Sequence, residues 1–167
     1  MSNTSKTAKE VQGDFLRMIR EYPITTDQHA GNVLPYPLPF PLGAGTMADC
    51  ISGDVYRQGL RPRDSQLEDI TVGFVAGVPS QIQTGVVAVC IYVPDIDPYD
   101  NGVLVEDMQR TAQLERIAQD WFDSIHTPAL GMGYNLSLQD TITSVEDEPI
   151  HQHFVSIMLK YKFFNVK

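Results

Sequence analysis

The apolar run GVVAVCIYV at residues 85–93 constrains this chain more than any other stretch. Val87, Val89, Ile91 and Val93 alternate with Val86, Ala88, Cys90 and Tyr92, so a strand here is apolar on both faces. Such a strand belongs in the middle of a sheet, with a helix over one side and a partner over the other. The strand is expected over 83–93, after a turn at Val78, Pro79 and Ser80. Two further strands are expected before it, over 54–60 and 69–76, joined by the charged stretch RPRDSQLE.

A helix is expected over 106–125. Met108, Leu114, Ile117, Ala118, Trp121, Phe122 and Ile125 form its apolar stripe, and Arg110, Glu115, Arg116, Gln119 and Asp120 lie outside it. Glu106 and Asp107 fall in its first turn, where the helix dipole favours carboxylates, and Pro128 and Gly131 end it. Two long strands follow, over 133–145 and 150–166, with a Glu-Asp-Glu-Pro turn between them. In the second, Val155, Ile157, Leu159, Tyr161 and Phe163 form the inner face, while His153, Ser156, Lys160 and Lys162 look outward. This order predicts an α+β fold: an antiparallel or mixed sheet packed with helices.

The chain divides into an N-terminal helix (1–21), an extended proline-rich arm (22–45) and the α+β domain (46–167). In the first helix, Val11, Phe15, Met18 and Ile19 share one stripe, and Gly13 weakens it by about 1 kcal/mol. In the arm, Pro35, Pro37, Pro39 and Pro41 alternate with Tyr36, Leu38, Phe40 and Leu42. Each proline fixes its own φ, extends the residue before it and removes a backbone donor, so a central strand is excluded. Either the segment packs on its own domain as an ordered loop, or it reaches a neighbouring subunit with Tyr36, Leu38, Phe40 and Leu42 as interface anchors. A ligand for an SH3-like domain is a third option.

Composition and motifs exclude more than they assign. A net charge of −9 over 167 residues disfavours a protein that coats nucleic acid. With two cysteines, Cys50 and Cys90, no disulfide framework is expected. The N-terminus lacks a signal peptide's apolar core, and no apolar run approaches the ~20 residues of a membrane helix, so a soluble intracellular origin is expected.

Gly43, Gly45 and Ala48 have the spacing of a dinucleotide-binding turn but follow the prolines rather than a buried strand, so a hinge closing the arm is the better reading. Asp95 and Glu106 span an EF-hand loop, but Tyr99, Asp100 and the internal Pro98 break its pattern, and Asx-type turns account for the same residues. His151 and His153 would share a strand face, as a zinc pair does, but lack further ligands; His29 and His126 lie in unrelated segments. No nucleophile has a patterned histidine partner and no acid–base pair stands out, so neither an enzyme nor a cofactor is expected.

An N-terminal helix, three strands, a sheet-covering helix and a final strand pair together resemble the tail terminator and tail-completion proteins of long-tailed bacteriophages. The resemblance lies in QIQTGVVAVCIYVPDIDPYDNG, the helix EDMQRTAQLERIAQDWFDSIH and the ending HFVSIMLKYKFF, and it covers about residues 52–167. The chain also looks similar to uncharacterised phage and prophage proteins of gut Bacteroidetes, in which QTGVV and IYVPDI recur.

The resemblance implies a structural virion protein, made in the host cytoplasm, that forms a homo-oligomeric ring, usually hexameric, at the head–tail junction. Such a ring stops the tail tube, meets a head–tail connector or stopper protein, and lets DNA pass without binding it. No membrane partner is implied. The alternatives are another virion connector or tube protein (head completion, stopper or tail tube) and a small ligand- or metal-binding domain using residues 95–107. The prolyl arm departs from the smaller terminators.

Overall fold

A computed structural model describes residues 5–26 and 38–164. The first helix, α1 (Ala8–Glu21), starts at Thr7, whose hydroxyl accepts from the Glu10 amide while the Glu10 carboxylate accepts from the Thr7 amide. That reciprocal cap satisfies two helix-end donors and offsets the weakness Gly13 introduces. Val11, Phe15, Met18 and Ile19 are all fully buried, as their spacing predicts.

Among the described residues six strands form one mixed sheet: β1 (Val55–Arg57), β2 (Ile70–Val78), β3 (Ile82–Pro94), β4 (Tyr134–Leu138), β5 (Thr143–Asp147) and β6 (Gln152–Phe164). The order is β1-β2-β3-β6, with β4 and β5 both paired to the far side of β6. Among the described residues only β1 and β2 run parallel. The pattern over 85–93 thus yields a central strand, flanked by β2 on one side and β6 on the other.

Several boundaries differ from expectation. The first strand keeps only three residues, because a turn bonds the Leu60 amide to the Arg57 carbonyl and Gly59 takes φ +92°. Val78 lies inside β2, which runs past a bulge between Phe74 and Ala76. The long strand expected over 133–145 is two strands, β4 and β5, that flank a break yet pair along one partner. The final strand begins at Gln152, after a 3₁₀ turn (Glu148–Ile150) and His151, which takes a left-handed φ of 54°.

Both helices lie on the same side of the sheet. The register places Ile70 and Val72 beside Ile91 and Val89, and those beside Val155 and Ile157; all are fully buried. They join Phe15, Leu114 and Trp121 in one continuous core. The second helix, α2 (Met108–Ile125), starts two residues later than expected. Asp107 is its N-cap, accepting from the Arg110 amide, and Glu106 precedes the helix. Met108 is 71% exposed and so is not part of the buried stripe. Asp120, expected outside, is buried and lies 3.4 Å from Arg116.

Among the described residues no helix is long and apolar enough to cross a membrane.

Candidate assembly surfaces

The residues expected to anchor an interface are dispersed. Tyr36 lies outside the described residues. Leu38 and Phe40 are partly buried against the chain's own core, and Leu42 is about half exposed. The Phe40 ring lies against Gly45, where a Cβ would come within 2.4 Å of it, so any larger residue would force the ring to shift. The Gly43 amide donates to the Ile24 carbonyl, and the Ile24 amide donates to the Gly45 carbonyl. These two bonds fasten 43–45 back to the end of α1 and give the Gly-Ala-Gly spacing a backbone role.

The sheet face away from the helices carries Val86, Ala88, Cys90 and Tyr92 from β3, with Phe154, Ser156, Met158, Lys160 and Lys162 opposite them on β6. One end of this face is covered by the chain itself. The segment 58–69 crosses over it and is held by a buried ion pair, Arg61 Nε to Asp69 Oδ2 at 2.8 Å. The Asp69 carboxylate also accepts from the Asp54 amide and the Ser65 hydroxyl. Arg61 lies 4.2 Å above the Tyr92 ring and donates to the Gln152 side chain, which in turn donates to the Ser65 carbonyl. A second pair, Arg110 with both oxygens of Glu68, ties the same segment to α2.

Among the described residues, none crosses the other end of the face. There Ala76, Val78, Val86, Ser137, Lys160 and Lys162 line a concavity of about 460 Å³. Val78, Ile82 and Phe164 are roughly half exposed at this end.

At the opposite end of β3 stands a built loop. Ile96 and Val105 exchange two backbone hydrogen bonds of 2.8 Å, closing residues 96–105. Inside, the Asp97 carboxylate accepts from the amides of Asn101 and Gly102, and Asp100 takes a left-handed φ of 53°. Of the acidic residues that mimic a calcium loop, Asp97 is thus engaged with backbone amides, and Asp95 and Glu106 lie beside His153. Tyr99 is 80% exposed, and Val103, Leu104 and the neighbouring Met108 are also exposed. The loop is thus ordered by its own hydrogen bonds while these apolar side chains face solvent.

The base of this loop rests on His153. Its Nδ1 lies 2.7 Å from Asp95 Oδ1, and its Nε2 lies 3.8 Å from Glu106, whose carboxylate also accepts from Thr111. His153 therefore lies on the helix side with Val155, correcting the outward placement. His151 precedes the strand, so the two histidines do not form a strand-face pair. Among the described residues no three His, Cys, Asp or Glu side chains gather as a metal set.

The thiols lie in contrasting places. Burial pushes the Cys50 thiol up to about 12 and the Cys90 thiol up to about 11. The partly exposed Cys90 should carry about 100-fold less thiolate near neutral pH than a cysteine titrating at 9.0. Its alkylation in the folded protein should be slower by about that factor than in urea. Equal rates in both states would show that the strand face is freely solvated.

No protein-family model matches the chain, and no curated protein matches it.

Proposed function

We propose that this chain is a structural virion subunit: a tail-terminator-like protein that closes into a homo-oligomeric ring, most simply six-fold, at the head–tail junction of a phage. The observation that carries the proposal is the asymmetry of the surface. Both helices cover one sheet face, leaving an open groove at one end of β3 and a rigid apolar loop at the other. A subunit with two different sticky ends associates head to tail and closes into a ring when the rotation permits.

In this role the ring ends the tail tube and meets the connector or stopper. A net charge of −9 suits a channel that lets DNA slide past without holding its phosphates. A solution mass combined with electron microscopy of virions tests the assignment. Closed rings at the neck are the expected result. Tubes of indefinite length from the protein alone would instead identify a tail-tube subunit. A lone monomeric decoration on the virion would sink the ring.

A further inference from the structure

We propose that the loop 96–105 of one subunit docks on the open sheet-end groove of the next copy, with Tyr99 and Leu104 against Val78 and Val86, and Asp100 beside Lys160 and Lys162. The inference rests on the ring reading and names the contact that builds it.

The two surfaces lie far apart in one chain. β3 has 13 residues, so at roughly 3.3 Å per residue its ends are about 40 Å apart. The loop therefore cannot fill its own groove, and the fit is between copies. Their charges are complementary. Residues 95–107 carry five carboxylates and no lysine or arginine. The groove is lined by Lys160 and Lys162 and by no carboxylate, and neither lysine forms an ion pair with a described residue. In a chain of net charge −9 a basic patch of this kind favours an acidic segment of its own sequence over a basic partner. The loop is also pre-organised by the Asp97 turn and the Ile96–Val105 bonds, so little ordering is lost on docking.

The test uses the full chain carrying Cys90→Ala, with Val103→Cys in one preparation and Ser137→Cys in another. A short bis-maleimide should yield a covalent dimer when the two are mixed, and none from either alone. Lys160→Glu with Lys162→Glu should weaken self-association about tenfold, and added salt should weaken the parent likewise. Absence of the mixed crosslink, whatever the mass in solution, overturns the contact.

A ring that forms without the crosslink overturns the contact and leaves the ring standing. An open filament that carries the crosslink keeps the contact and removes the ring. If the thiol of Ser137→Cys becomes reactive only after residues 27–37 are deleted, the groove belongs to the chain's own segment and the proposal fails.

Discussion

Replacing Trp121 with alanine is expected to destabilise the fold by about 3–5 kcal/mol, the usual range for a large aromatic removed from a core. Trp121 is fully buried on α2, and its indole N–H points to the Met18 carbonyl of α1 at 3.4 Å. It shares one core with Val89, Ile91 and Ile157 of the sheet. The substitution therefore removes packing between two helices and the strands beneath them, and leaves a cavity in the core. Urea unfolding followed by circular dichroism reads the loss. A change below about 1 kcal/mol, as for surface positions, would mean that α2 is not seated as described.

Asp69→Ala should be of similar size for a different reason. The Asp69 and Arg61 side chains are 1% and 9% exposed, so removing the carboxylate strands a guanidinium that is largely out of water. It also leaves the Asp54 amide without its side-chain acceptor. Breaking a buried pair from one side costs about 3–5 kcal/mol. The loss should be joined by proteolytic cleavage within 58–69, since that segment would lose its anchor on the sheet. If stability falls by less than about 1 kcal/mol and the segment still resists protease, Arg61 finds water instead.

The strongly patterned elements were legible because their periodicity had one solution. The alternation through Val87, Val89 and Ile91 admits only a buried strand, and the stripe from Leu114 to Ile125 admits only a helix seated on it. Parity was also enough to place His153 with Val155, although the charged character of its surroundings pulled the expectation outward. Met108 was misplaced because one apolar residue at a helix start satisfies the period without needing burial, and here it faces solvent in the first turn of α2.

The break between β4 and β5 had no local signal strong enough to interrupt the alternation, since both halves pair with one long partner. The candidate surfaces were least legible. The groove depends on which end of the open face the segment 58–69 covers, and the Arg61–Asp69–Gln152 network that decides it joins that segment to the distant strand β6. The loop 96–105 read as a turn, but the exposure of its apolar side chains emerges only once the sheet is assembled.

The pairing of β3 with β6 has a consequence for how the molecule reaches its folded state. Ile82 meets Phe164 across 82 positions and Pro94 meets Gln152 across 58, so the central ladder closes only after a long loop has been ordered. The β2–β3 hairpin is local and can form early, leaving one long edge of β3 unpaired and Val87, Val89 and Ile91 uncovered until β6 arrives. Folding should accordingly be slow for a chain of this size, and the half-built hairpin is the species most prone to pair with another copy in the wrong way.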